Sequence, residues 1–297
     1  MTQTFLGVAR QGRNRFRDYL IGILLIISST FIVTIPILLV IMVTASLYGI
    51  VAFDKGGINL FLYGNPFRII MFFGAIHAGM IPGLFLAIQR VHHRDLLTLV
   101  TPDLSISWHR IFKGFIVFLT IWLVSFPVWY LINPSRYTVT FNGTEQISYS
   151  LFAILFLPII SSVEALLYGY ILQGLGLVIR KTPLLLITFS LISCISAKTI
   201  DDCIMRSLMA IFMAWIVLKD NRTELLIGIL AASTLISTII ISTVGSQFNL
   251  PTIIKIPDSN SPLALRLVGF LLSSSLFYYI CFGLEKNQIT SSPDYRN

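Results

Sequence analysis

The chain alternates long apolar runs with short polar stretches. Eight runs stand out: 19–53, 67–89, 111–132, 151–177, 183–197, 204–218, 224–244 and 263–284. About 20 consecutive apolar residues cross the hydrocarbon core of a bilayer as a helix. The run 183–197 is short and rich in Ser, and a short span is tolerated where other helices cover it. The pattern predicts an all-α polytopic membrane protein, a bundle of about eight transmembrane helices, with Pro36 as a kink in the first. Residues 1–18 then form a basic N-terminal segment, 19–284 the transmembrane domain and 285–297 a C-terminal tail. The first run far exceeds the roughly 7–15 apolar residues of a cleaved secretory signal, so it is expected to stay as an anchor.

Composition agrees. Hydrophobic residues make up 56% of the 297 and charged residues 11%, whereas soluble domains carry about 25% charge. The formal net charge of +8 would fit nucleic acid only if it were clustered. Instead the charges lie between the apolar runs, where they orient a membrane protein, so no nucleic-acid partner is expected. With the N-terminus in the cytoplasm, the inner segments hold 14 Lys and Arg. The outer ones hold seven: Lys55, Arg68, Arg136, Lys198, Arg206, Lys255 and Arg266. This bias predicts that both termini are cytoplasmic. Cys194, Cys203 and Cys281 show no metal-ligand spacing. Cys194 and Cys281 fall in apolar runs and read as small core residues, and the sequence leaves a disulfide open.

One apolar run contains a charge: Glu164, in "SSVEALLYGYILQGLG". An intramembrane carboxylate costs about 2.5–3.5 kcal/mol on insertion scales. It is either part of a site or the remnant of one. The longer segment "LPIISSVEALLYGYILQGLG" resembles the signature helix of the CPBP (CAAX protease and bacteriocin-processing, or Abi) family of intramembrane metalloproteases, with Gly169, Tyr170, Leu172, Gln173 and Gly174 matching its second half. "ARQGRNRFRDYLIGILLI", "HHRDLLTLVTPDLSISWHRIFKGF" and "YLINPSRYTVTF" are similar to segments of one bacterial branch. The resemblance implies a bacterial cytoplasmic membrane and a CPBP-like core at about 150–245.

It also implies a site. The family pairs two glutamates with an arginine, a Phe-xxx-His motif and a His-xxx-Asn motif, around a divalent metal, zinc by preference. Such a metal lowers the pKa of its bound water, and a carboxylate takes the proton. Here the first glutamate aligns with Val163, the second is Glu164, and the arginine aligns with Tyr168. Phe189 matches the aromatic, but the histidine position holds Ser193. In "TELLIGILAASTLIS" the second histidine aligns with Leu230 and the asparagine with Thr234. Leu ligates no metal and Ser is a poor zinc ligand. The resemblance therefore implies a pseudoprotease with no metal cofactor, acting by binding a membrane partner. An active endopeptidase with a divergent site is one alternative. It needs intramembrane histidines, and of His77, His92, His93 and His109 only His77 lies in a span. A small-solute transporter is another, and it needs a polar path.

The remaining features have plain readings. Glu164 is expected to be a neutral carboxyl, hydrogen-bonded inside the bundle, with Tyr168 on the same helical face. His77 reads as a packed histidine, and His92 to Asp95 as a solvated loop. The N-terminal arginines read as topology signals that touch anionic lipid, and Asp201 and Asp202 as an outer turn facing water. Asn142-Gly143-Thr144 has the form of a glycosylation site, relevant only in a eukaryotic secretory membrane. The positions Val163, Tyr168, Ser193, Leu230 and Thr234 are expected to converge near Glu164. For topology, a C-terminal reporter should read as cytoplasmic and one in the 133–150 loop as external. A C-terminal reporter active outside the cytoplasm would break the eight-span arrangement.

Overall fold

A computed structural model describes residues 4–47, 66–132, 134–141, 143–243, 250–256 and 262–283. The end of the first predicted span, Asn142 and the 285–297 tail lie outside the described residues. Among the described residues the chain forms nine α-helices and one small sheet. The helices are α1 (Phe5–Val8), α2 (Phe16–Leu47), α3 (Pro66–Leu86), α4 (Trp108–Ile132), α5 (Gly143–Val178), α6 (Thr182–Ser193), α7 (Ile200–Asp220), α8 (Glu224–Leu235) and α9 (Leu263–Tyr278). Short π-helical turns extend α3, α8 and α9. The strands are β1 (Thr138–Val139), β2 (Ile241–Thr243) and β3 (Ile254–Ile256). β3 lies between the other two, antiparallel to β1 and parallel to β2.

Five helical stretches are long and apolar enough to cross a membrane: Phe16–Thr44, Pro66–Val91, Trp108–Ile132, Gly143–Val178 and Leu263–Gly283. Thr182–Ser196 and Glu224–Ile240 are shorter apolar helices. Five stretches thus meet the criterion, against the eight spans expected from the sequence. The first of them is only 11% buried at a mean hydropathy of 2.7. A surface that apolar, uncovered by protein, belongs in lipid rather than water. The protein is membrane-embedded.

Polar contacts gather at two ends of the bundle. One end holds α1, the start of α2, the 92–110 segment, the end of α5 and the α7–α8 turn. There Thr223 donates through its amide to the Val100 carbonyl (2.8 Å) and through its hydroxyl to that of Leu99 (3.1 Å). The other end holds the sheet, the start of α5 and the α6–α7 turn. There Cys194 and Cys203 form a disulfide between the end of α6 and the start of α7. The cysteine expected as a core residue is therefore a cross-link, and only Cys281 of the three is simply buried. Asp201 and Asp202 do not merely face water. Asp201 accepts from Arg266 (2.9 Å), and Asp202 accepts from Arg206 (2.8 Å) and from the Lys198 amide (3.2 Å). Thr199 caps α7 by accepting from the Asp202 amide.

Between the ends, α2 packs along α3 and α4 along α8. Small residues set the second of these pairs. A Cβ on Gly228 would overlap the Ile111 carbonyl, and one on Gly114 would overlap the Leu225 carbonyl. The two glycines let the backbones touch, the usual device where lipid removes any hydrophobic drive between helices. Ala232, Leu226 and Ile229 on α8 are fully buried behind this crossing. Gly228→Ala should lower the thermal unfolding midpoint in detergent, because overpacking costs about 1–3 kcal/mol. An unchanged midpoint would show that α4 and α8 are not in backbone contact.

Candidate functional site

Glu164 lies in the middle of α5, six residues after Pro158. The proline removes one amide from the helix ladder, and Ser161 answers a nearby carbonyl by donating to that of Leu157 (2.7 Å). The Glu164 side chain keeps 36% of its surface exposed. Its Oε1 lies 3.5 Å from Nε2 of His77, on α3, whose side chain is 12% exposed. His77 Nδ1 lies 2.7 Å from the Phe73 carbonyl. A carbonyl only accepts, so Nδ1 carries a hydrogen there, assigned from its partner. In a neutral ring Nε2 is then an acceptor facing a carboxyl oxygen. One further proton shared by the two groups satisfies both, as acid with imidazole or as carboxylate with imidazolium. Either form is net neutral, which lowers the cost of placing it in a bilayer.

Glu164 is therefore matched to His77 rather than to Tyr168. The Tyr168 ring packs on Phe189, with centroids 5.3 Å apart. Tyr168, Phe189 and Leu230 belong to the larger apolar cluster. Val163 is buried in a second cluster with Tyr19, Leu84 and Tyr170, and Leu166 touches both. Ser193 ends α6, its hydroxyl donating to the Ser190 carbonyl (2.6 Å). Thr234 lies near the end of α8, and its carbonyl accepts from Thr238 (2.6 Å) and Ser237 (3.2 Å). The apolar clusters thus hold Tyr168, Leu230 and Val163 among the five positions, and the hydroxyl residues Ser193 and Thr234 stand at helix ends.

Among the described residues, no three His, Cys, Asp or Glu side chains are grouped so as to hold a metal. Glu164 and His77 offer two donors, and a catalytic zinc takes three protein ligands. The residues present do not fit the zinc site that the family resemblance implies.

The densest polar construction lies about two turns further along α5. Tyr170 and Gln173, three residues apart, share a helical face, and both are buried. His92 Nε2 lies 3.0 Å from the Tyr170 hydroxyl, and Nδ1 lies 2.7 Å from the Arg13 carbonyl. Gln173 accepts from Arg94 (3.1 Å) and donates to the carbonyls of Thr98 (2.7 Å) and Phe5 (3.3 Å). Arg94 also reaches the Tyr19 hydroxyl (3.4 Å). Burial holds the His92 imidazole below its usual pKa; the Arg13 hydrogen bond opposes this, and the Arg94 charge adds to it. The segment expected as a solvated loop is thus split. His92 and Arg94 are buried, while His93 and Asp95 are exposed. The backbone explains the alternation: His93 sits at φ 53°, which turns its ring away from the core. No local signal in the sequence announces the pairing of His92 and Arg94 with Tyr170 and Gln173, which lie more than 75 positions away.

Beside it, Glu224 is fully buried at the start of α8. It accepts from the Ser107 amide (2.6 Å) and lies 3.5 Å from Arg110 Nε and 3.9 Å from Arg222. Arg110 also pairs with Asp220, and Arg222 with Asp103. This ionic cluster holds the α7–α8 turn against the start of α4.

One curated relative gives a measure of kinship. An uncharacterized protein of Bacillus subtilis strain 168, YyaK, is 26% identical over 178 residues. The match takes in 59% of this chain and 58% of that protein, so the chain spans little over half the length of the relative. No protein-family model matches the chain. No solved structure matches it.

The geometry makes a direct prediction. Glu164→Gln keeps shape and a hydrogen-bonding partner for His77, so it should accumulate in the membrane fraction nearly as wild type. Glu164→Lys puts an unpaired cation beside His77 and should fail to accumulate. Fluorescence-detected size exclusion of tagged protein reads both. If Gln left protein levels intact but abolished a cellular phenotype, Glu164 would be a working group and not a remnant.

Proposed function

We propose that this is a bacterial cytoplasmic-membrane protein on a CPBP-like scaffold that acts by binding a membrane partner and does not cleave peptides. The observation that carries this reading is the state of the Glu164 site. A single carboxylate meets a single imidazole (3.5 Å), and the aligned positions Val163 and Leu230 are buried apolar side chains. Hydrolysis by a metal needs an ion, a bound water and a base held together, and this donor set supplies too few ligands.

The same reading takes the chain across the membrane eight times with both termini inside. Two observations support it. Polar contacts divide into two ends that alternate along the chain, as antiparallel passes require. The Cys194–Cys203 disulfide falls at the end assigned to the outside, and disulfides persist in oxidising compartments. The stretches Thr182–Ser196 and Glu224–Ile240 are about 22–26 Å long at 1.5 Å per residue. That falls short of a core about 30 Å thick, and neighbouring helices cover the difference.

Elemental analysis of protein purified without chelator should find zinc far below one per chain. Cross-linking in native membranes should return an intact membrane protein at fixed ratio, unchanged by Glu164→Gln. One tightly held zinc per chain, lost in both Glu164→Ala and His77→Ala, would overturn the reading.

A further inference from the structure

Away from Glu164, a cavity of about 650 Å³ opens between α4, α7 and α9, with β2 and β3 at its rim. Ligand pockets commonly measure roughly 300–1,000 Å³. Its wall is aromatic: Trp122, Phe126, Trp129, Phe212 and Phe270 all face it. Trp122 and Phe126 are stacked with centroids 5.4 Å apart. Gly269 admits the wall itself, since a Cβ there would come within 2.7 Å of the Trp129 ring.

Its one charged lining residue lies at one end. Arg266, in the first turn of α9, lines it and donates through Nη2 to Asp201 (2.9 Å). Arg266 Nε is buried with no hydrogen-bond partner among the described residues. A buried donor in that state costs about 1–3 kcal/mol, and an incoming acceptor would relieve it. At the far end lies Phe277, eleven residues along the same helix, or about 16 Å at 1.5 Å per residue. Half of a hydrocarbon core is about 15 Å. The cavity therefore begins at Arg266 near the strand side of the bundle, matches one leaflet in length, and is lined mainly by aromatic and aliphatic side chains, with Ser125, Ser273 and Ser274 among them.

We propose that this cavity holds one acyl chain of an anionic phospholipid from the strand-side leaflet, with the phosphate on Arg266. The chain lies along Trp122, Trp129 and Phe270, and a phosphate oxygen accepts the Arg266 Nε hydrogen. Arginine suits that contact, because its guanidinium carries several donors at once, so Nη2 can stay on Asp201 while Nε meets the phosphate. The inference is independent of the family reading, since it uses neither Glu164 nor any position aligned to a family site.

The chain carries four tryptophans, and two of them face the cavity, so the test is optical. In full-length protein with Trp108→Phe and Trp215→Phe, emission comes from Trp122 and Trp129. Brominated phosphatidylglycerol, titrated into the detergent-solubilised protein, should quench that emission saturably. Its half-saturation should fall at least about tenfold below that of brominated phosphatidylcholine. Arg266→Gln should bring the two lipids to within about twofold while both still quench. Ser273→Leu, which fills the cavity from α9, should abolish the saturable component. Both variants are accepted only with an unfolding midpoint close to that of the parent. Quenching that rises linearly without saturation, equal half-saturation for the two lipids, or a phosphatidylglycerol preference that survives Arg266→Gln would overturn the proposal.

Discussion

The Gln173 carboxamide, fully buried near the end of α5, joins three stretches of chain far apart in sequence. It holds the Arg94 guanidinium on one side and the carbonyls of Thr98 and Phe5 on the other. A buried amide is tolerable only when its donors and acceptors are matched. Each of these partners is itself in a segment without a long regular ladder: a turn, a short 3₁₀ helix, an N-terminal turn. The glutamine thus supplies what secondary structure does not. Removing any one member leaves the others buried and unmatched, so the end of the bundle is ordered as a unit. The ionic cluster around Glu224 continues the same logic across to α4 and α8.

Long apolar runs were legible because lipid imposes a length and a composition. The runs 67–89, 111–132 and 263–284 correspond to helical stretches Pro66–Val91, Trp108–Ile132 and Leu263–Gly283. The run at 151–177 underestimated α5, which starts at Gly143. Its first two turns carry Glu145, Gln146 and Ser148 and look like a loop. They are helical because Tyr149 and Gln146 are buried against the π-helical turn that follows α8, with Gln146 donating to the Ile239 carbonyl (3.4 Å). The sheet was not legible. Its strands are two or three residues long, β1 pairs with β3 across more than a hundred positions, and no periodicity survives in so short an element.

Site reading divided the same way. Glu164 was conspicuous because it is a charge in an apolar run, and His77 because it is a lone imidazole in another. Their pairing depends on how α3 lies against α5, which no local pattern encodes. The buried state of His92 and Arg94 was hidden for a different reason. Basic residues in a connecting segment ordinarily report topology, and nothing in "HHRD" distinguishes an inward side chain from an outward one. The distinction comes from a backbone with φ above zero at His93.

The docking of α1 has a bearing on how the protein is made. The Phe5 amide donates to Asn221 (2.5 Å), and Phe5 itself is buried in the larger apolar cluster. α1 therefore has no complete seat until the α7–α8 turn, more than two hundred positions later in the chain, has been made. Until then Phe5 lacks part of the apolar cluster that buries it. The turn between α7 and α8 then closes over it. α1 is thus made before the α7–α8 pair and seated only with it.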